Sequence, residues 1–545
     1  MKTFTLHHIN DTHSHFQSQE LDLNLAIDDD ILSVKVLAGG YALLKSYVTG
    51  YSINETRFFF HAGDCFEGTL EFSYFKGKVN SCLASQLELD AMVIGNHEFD
   101  TGDDYLSDYI SNINFPIICS NMELPTSGTP LNKHDTSSLI CIGNKDETPP
   151  FRLVSKKGIS IAVIGVTTDA MHDIAAPSPG LKFHDPVVTV ERAVRRVRQV
   201  TSAPIVLLSH LGFERDVELA HAVPEIDFII GGHSHTLLGD FTNLGIESSG
   251  PYPYQVGSTC ILQAGCNSQF IGELIVHSDP LDKAFNVTGS NKLLIDIDSV
   301  SKLNNFSEKL TDDILLFLSN QTNVALVYED QEIAGTLQNR FLPELTHYSE
   351  DELATSYKHI LHTRIPSNGV GSELATLIAK AMLVYVSDQL NITADFAIIN
   401  AGAVRAGLEP GVITSGDISG KVLPFSITLD VLTLKGKFLK NALFSSLVNA
   451  YSCSSKTGSY PYLYNLAIGY TLENSYPMNF GCKADKGHKE TDLIDEQEYK
   501  IVTTSYLSKG KEGYQDLRTN RLERLETNVF LYDAFIGYLK KYGLS

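Results

Sequence analysis

The sequence predicts an α/β protein of two domains, and three observations carry that prediction. A chain of 545 residues is longer than one hydrophobic core organises. From residue 1 to about 275, short apolar runs of strand character (FFFHAGD, AMVIGNHE, IAVIGVTT, APIVLLSHL, IDFIIGGHS) alternate with helical patterns such as ERAVRRVRQV. Beyond residue 345 a second series of the same kind begins. There ELATLIAKAMLVYVSDQL reads as an amphipathic helix, ADFAIINAG as a strand entering a glycine turn, and DVLTLKGKFLKNALFSSL as strand then helix. Taken in order, strands are expected over 4–9, 58–62, 91–94, 205–208 and 226–230. The Pro-, Thr-, Asn- and Gly-rich stretch 121–150 predicts a long surface insertion. The stretch 301–345 (FSEKLTDDILLFLSN, then EIAGTLQNRFLPEL) has helical periodicity and is expected to connect a first domain over 1–300 to a second over 346–545. No internal repeat or low-complexity tract interrupts this plan.

Composition narrows the class. A hydrophobic content of 43% and a charged content of 20% are those of an ordinary globular protein, and no apolar run is long enough to predict a transmembrane helix. The beginning, MKTFTLHHINDTHSH, has no apolar segment of the signal-peptide kind. A cytoplasmic location is expected if this is the full chain, and a periplasmic or extracellular one if a leader has been removed. The net charge of −23 makes long nucleic acid a poor partner, because phosphate backbones are bound by Lys and Arg. A small phosphate ester can still bind where metals and a few arginines make a pocket locally positive. Eight cysteines (65, 82, 119, 141, 260, 266, 453, 482) without a C-x-x-C are read as buried thiols, with Cys453–Cys482 as the one candidate disulfide. Six N-x-S/T sequons, at Asn10, Asn54, Asn286, Asn305, Asn320 and Asn391, do not decide the compartment. Oligomeric state is not legible in this sequence.

The chemistry lies in five short blocks, each following one of the five expected strands of the first domain: Asp11-Thr-His13, Gly63-Asp64, Gly95-Asn-His-Glu-Phe-Asp100, Ser209-His210 and Gly232-His-Ser-His235. A lone D-x-H or G-D is usually a turn or a cap. Five of them at five strand ends are where side chains from separate strands converge. Two Asp and one Asn mixed with several His suit Zn²⁺, Mn²⁺ or Fe better than Ca²⁺ or Mg²⁺ alone, with Co and Mg as further options. Two cations need a shared ligand, and Asp64 is the natural bridge because a carboxylate has two oxygens. Asp11, His13 and one His of GHSH would complete one cation site. Asn96, His210 and the other GHSH His would complete the second. His97 could donate to a phosphoryl oxygen or protonate a leaving group, with Asp100 three residues on to orient its imidazole. Cys65, next to Asp64, is read as a wall of the site.

DTHSH, AGDCFEGT, GNHEFD, SHLG and GGHSH, in this order, resemble the calcineurin-type metallophosphoesterases, and more narrowly the 5′-nucleotidase family, over nearly the whole chain. The resemblance implies a four-layer αββα metallophosphoesterase sandwich followed by a second α/β substrate-binding domain. It implies one metal on Asp11, His13, Asp64 and His235, the other on Asp64, Asn96, His210 and His233, and a catalytic pair His97–Asp100. Some family members have Gln where this chain has His235.

In the second domain, NAGAVR resembles the family's N-x-G-G-x-R. It implies substrate contacts from Asn400, Gly402 and Arg405, with Arg405 on the phosphate. LPF implies a base-stacking Phe425, and SYLSKGKEGY implies an opposing Tyr506 and a ribose-binding Glu512. Arg364, in HTRIPSNGVGSELATLIAKAM, is a loose match to a second family arginine. Ala403 stands for the family's second Gly, Gly510-Lys-Glu-Gly513 for GGDG, and Ile427 where an Asn is usual. The expected function is hydrolysis of the 5′-phosphate of nucleotides to nucleoside and phosphate through a metal-bound hydroxide. An alternative of the same class is a phosphodiesterase or pyrophosphatase acting on NAD, nucleotide sugars or 2′,3′-cyclic nucleotides, since GSELATLIA looks somewhat like NAD nucleotidases. An alternative of another class is a non-catalytic nucleotide-binding protein, which would have no need for a full bimetal shell.

Overall fold

In the strand Ile205–His210, Ile205 and Leu207 join one apolar cluster while Val206 and Leu208 join another. Successive strand side chains point to opposite faces, so a strand covered on both sides reads as a continuous apolar run rather than an alternating one. Ile159–Thr167 and Phe228–Gly231 divide their side chains between the same two clusters.

The computed structural model describes residues 2–27, 30–50, 55–133, 138–142, 149–278, 285–366, 370–452, 454–485 and 490–544. Asn54 of the sequons and Cys453 of the candidate disulfide lie outside the described residues. The chain divides into two compact units, Met1–Pro343 and Glu344–Ser545.

The first unit holds an eleven-stranded and a six-stranded sheet. Phe4, Leu6, Phe58, Phe60, Val93 and Ile118 from the first meet Ile161, Val163, Val206, Leu208, Phe228 and Ile230 from the second, and this apolar layer holds the sheets face to face. The helices Pro186–Val200 and Phe213–Ala222 cover the outer face of the six-stranded sheet through Val190, Val194, Val197 and Leu219. Pro186 at the first helical position and the Asp185 side chain, which accepts from Val188 N, start the first of these helices. The helix Tyr41–Thr49 lies on the eleven-stranded sheet, completing an α/β/β/α order.

Parallel pairing is what brings the five motifs together. Lys2–Ile9 runs parallel to Arg57–His61, which runs parallel to Ala91–Met92; Ile205–His210 runs parallel to Phe228–Gly231. Parallel neighbours end at the same edge of their sheet, the edge where open α/β sheets bind ligands.

The stretch 121–150 departs from the expected surface insertion. Its start belongs to the strand Ile117–Glu123, and Leu139–Ile142 pairs in parallel with that strand. Asn121 is fully buried, its Nδ2 donating to the carbonyls of Thr167 (2.7 Å) and His184 (3.1 Å), so a residue type common in turns here ties the two sheets together. The helix Glu308–Ser319, capped by Ser307, packs through Ile314 and Leu318 against Leu23, Val34 and Leu293 of the first unit.

The second unit is built on a five-stranded mixed sheet in the order Pro461–Tyr464, Phe396–Asn400, Glu498–Thr504, Thr428–Lys435, Arg521–Phe530. Ala397, Ile399 and Val502 face the helices Glu373–Leu390 and Leu531–Tyr542, while Phe396, Ile398 and Ile501 face the start of Gly436–Ser452. Ser372 caps the long helix by accepting from Ala375 N, and Asn391 ends it in the left-handed region at φ 56°.

Candidate active site

The ligand-type residues of the first unit converge into three overlapping groups, two of which share the Asp64 carboxylate. Asp11, His13 and His235 form one set of donor atoms close enough to hold a cation, and Asp64, His210 and His233 form another; His13, Asp64 and His97 join them. His210 Nε2 lies 2.9 Å from Asp64 Oδ2, His235 Nε2 is 3.5 Å from Asp11 Oδ1, and His13 Nε2 is 3.0 Å from His235 Nε2. Asn96 reaches the second set through its Oδ1, 2.8 Å from His233 Nδ1.

Backbone conformation shows how tightly this convergence is imposed. Asp11, His13, Asp64, His233 and His235 all have positive φ, between 46° and 75°. Non-glycine residues avoid that region at a cost of about 1–2 kcal/mol each, so five at one place mark a site that the surrounding fold over-determines. Glycines make the room. Gly63 has φ 90°, and a Cβ there would lie 2.7 Å from His210 Nδ1; a side chain at Gly95 would run into the Asp64 carboxylate.

The donor set fits divalent cations. His210 Nδ1–H donates to the Ala62 carbonyl at 2.7 Å and His13 Nδ1–H to the Phe66 carbonyl at 3.2 Å, which turns both Nε2 atoms toward the cluster. His210 Nε2 is fully buried with no acceptor in hydrogen-bond geometry among the described residues. A buried imidazole nitrogen beside a carboxylate, with its other nitrogen tied to the backbone, is arranged for a metal. Burial drives His13 down to about 3 and His233 to about 4, so both rings are neutral and ligand-ready. Burial lowers His235 as well. Burial raises Asp11 to about 7 despite the opposing pull of His210. For Asp64 burial acts upward too, but His210 and His97 overcome it and hold the carboxylate well below its ordinary range. Burial would lower His210, yet Asp64 beside it lifts it to about 9.

His97 differs from the other histidines. Its Nδ1–H donates to Asp100 Oδ2 at 2.5 Å, and its Nε2 lies 4.0 Å from Asp64 Oδ2 at a half-buried position. Burial opposes the charged form, but Asp100 and then Asp64 raise its pKa well above the ordinary value. Both carboxylates thus favour the charged form of this ring.

Several supporting residues were not singled out by sequence. Asn10 Nδ2 donates to Asp11 Oδ2 (2.7 Å) and to the Gly265 carbonyl. Gln263 braces the GHSH loop, its Nε2 donating to the Gly232 carbonyl and its Oε1 accepting from Ser234 Oγ and Thr236 N. Glu98 accepts four backbone N–H groups. Glu98 lies within a quoted motif, but a glutamate beside a histidine looks like a solvated charge until its burial is known.

In the second unit six of the seven residues named from the sequence fall into two groups. Asn400, Gly402, Tyr506 and Glu512 gather around Gly458 and Ser459. Asn400 Nδ2 donates to the Gly458 carbonyl at 3.1 Å, Ser459 Oγ donates to Glu512 Oε2, and Tyr506 OH donates to Glu512 Oε1 at 3.4 Å. A Cβ on Gly402 would approach Asn400 Nδ2 and Gly458 at 3.1–3.3 Å. Arg405 and Phe425 form the other group, the guanidinium lying 5.5 Å over the ring. Arg364 is exposed, beside His362, whose pKa is lowered by burial and then by Arg364. Tyr506 also packs on the apolar cluster of Leu439, Leu443 and Leu507. Ser459 had no signal in the sequence: one serine in SSKTGS is indistinguishable from its neighbours.

Two family models match this chain. The calcineurin-like phosphoesterase model covers residues 4–237 and the 5′-nucleotidase C-terminal domain model covers 354–519. The chain is 26% identical over 578 residues to the NAD 5′-nucleotidase of Haemophilus influenzae, spanning 98% of this chain and 90% of that one. It is 26% identical over 541 residues to the 5′-nucleotidase of Mus musculus, spanning 95% and 85%. The crystal structure of a 5′-nucleotidase precursor from Thermus thermophilus superposes with a TM-score of 0.68 at 26% identity, covering 99% of this chain and 96% of that one. Among the described residues, no helix is long and apolar enough to cross a membrane.

Proposed function

We propose that this chain, which belongs to the 5′-nucleotidase family and is a metal-dependent hydrolase of phosphoesters, removes the 5′-phosphate of nucleotides to give nucleoside and inorganic phosphate. The observation that carries the reading is Asp64 shared between two sets of donors, with His97, bonded to Asp100, on its flank. In this reading Asp11, His13, Asp64 and His235 hold one divalent cation, and Asp64, Asn96, His210 and His233 the other, with Zn²⁺ or Mn²⁺ as the first ions to test. When bound, such a pair neutralises phosphoryl charge and lowers the pKa of a water.

The chain's own residues do the rest. Asp64 Oδ1 is occupied by His97 N at 2.8 Å, so Oδ2 turns toward His210 and the other donors. Asp100 keeps the His97 ring oriented with Nε2–H toward the reacting group. Water oxygen bonds to phosphorus as the P–O5′ bond breaks; His97 Nε2–H gives its proton to the departing O5′, one water proton stays on the released phosphate, and the other restores His97. In the second unit Arg405 binds the phosphate, Phe425 and Tyr506 the base, and Glu512, with Asn400, Gly402 and Arg364 nearby, the nucleoside. Arg405 and Phe425 stand together for this, the guanidinium 5.5 Å from the ring centroid.

A second reading is cleavage of the pyrophosphate of NAD, favoured by the similarity to a relative described as an NAD 5′-nucleotidase. Phosphate release from AMP, GMP, UMP, NAD, UDP-glucose and 2′,3′-cyclic AMP with Mn²⁺, Zn²⁺ or Co²⁺, with the diesters also followed by chromatography, separates the two. Fast release from 5′-monophosphates supports the nucleotidase reading. Turnover of diesters alone keeps the metal site and discards the proposed pocket.

A further inference from the structure

Glu98 sits completely buried in the single 3-10 turn His97–Phe99, one residue from His97 and two from Asn96. Its Oε2 accepts from Gly95 N at 2.6 Å and Asp64 N at 3.1 Å, and its Oε1 accepts from Cys65 N at 2.6 Å and Phe66 N at 3.2 Å. These four amides belong to two separate loops. One leaves the strand Arg57–His61 and carries Asp64; the other leaves Ala91–Met92 and carries Asn96. Past the end of each strand the ladder no longer supplies acceptors, and buried N–H groups must find them elsewhere. A single carboxylate serves both loops, Oε2 accepting from one amide of each and Oε1 from two further amides of the Asp64 loop. The bracing is reciprocal: the Glu98 side chain holds the Asp64 backbone, while the Asp64 side chain accepts from His97 N, the neighbour of Glu98.

We propose that Glu98 is a positioning residue for the two-cation site. It ligates nothing, and its charge gathers the two loops so that the shared oxygen of Asp64 and the amide oxygen of Asn96 stand at the right separation. This rests on the metal-site reading above. A neutral isostere tests it, because the Nε2 of a glutamine would face two of the four N–H donors. In the full chain, Glu98→Gln and Glu98→Asp are compared with wild type by three measurements. These are competition with a chromophoric chelator for Mn²⁺ or Zn²⁺, hydrogen exchange of the apo-protein at 63–66 and 95, and kcat with added cation. The expected result is affinity for at least one cation weakened by about 10–100-fold in Glu98→Gln, the range for residues that orient ligands. Exchange quickens at those amides and not elsewhere in the first unit, and excess cation partly restores kcat. Glu98→Asp, with the charge kept but the reach shortened, falls between. If Glu98→Gln fails to fold, Glu98→Asp alone carries the comparison, and wild-type affinity and exchange there overturn the proposal. A wild-type chain that binds two cations, with Glu98→Gln binding them equally, overturns the role of Glu98 and leaves the metal reading standing. A wild-type chain that binds none overturns both.

Discussion

The two candidate regions are built in opposite ways. In the first unit every ligand-type residue stands at or just past the end of a buried strand, most are buried, five have left-handed backbone, and their side chains converge into overlapping clusters, two of which share the Asp64 carboxylate. In the second unit the named residues sit mainly on loops and short turns. They are more exposed and satisfy one another: Arg405 with Phe425, Glu512 with Ser459 and Tyr506. The difference teaches where rigidity is placed. In the proposed reading a cation pair needs its donors held before it arrives, and the left-handed backbone of the first region fits that need.

The largest effect should come from the shared carboxylate. Asp64→Asn is expected to bring turnover to background and to strip bound divalent cation, measured by elemental analysis beside phosphate release; a fully active variant would remove the bridge from the scheme. His97→Asn comes next, with turnover falling about 10²–10⁴-fold, the usual share of general acid–base catalysis, while metal content stays at the wild-type level. If metal is lost as well, His97 belongs with the ligands. Chelation of the wild-type chain should abolish turnover reversibly and lower the melting temperature, because the strained and like-charged groups lose the cations that compensate them. An unchanged melting temperature would mean that the five left-handed residues are held by the fold alone.

Effects in the second region should be smaller and confined to substrate binding. Phe425→Ala is expected to raise KM for AMP by about 5–150-fold, corresponding to about 1–3 kcal/mol of stacking, with kcat within a few-fold. Ser459→Ala, which frees Glu512 from one hydrogen bond, should change KM by about tenfold or less, as befits about 0.5–1.5 kcal/mol. Equal losses in kcat from Phe425→Ala would show that this region shapes the transition state, and the contrast between the two regions would fail.

Legibility followed the same division. The α/β class was readable because strands covered on both faces must be apolar throughout, as IVLLSH and FIIG are, and because parallel strands return through helices such as Pro186–Val200. That the five motifs meet was readable from their common place at strand ends. The strand character of 117–123 and 139–142 was hidden, since Asn, Ser and Thr read as turn residues until Asn121 is seen bonding across two sheets.

By itself, then, the sequence determined the residue types that can hold cations and carry a proton, and the strand ends from which they project, because local pattern fixes secondary structure and donor chemistry. Only the tertiary structure decided which histidines are shifted down, like His13, and which, like His97, are shifted up. Those shifts depend on burial and on carboxylates contributed by other loops. It alone showed that Glu98 is buried among four N–H donors rather than solvated, and that Arg405 lies over Phe425. Long-range electrostatics and packing act between residues far apart in the chain, and no local window of sequence contains them.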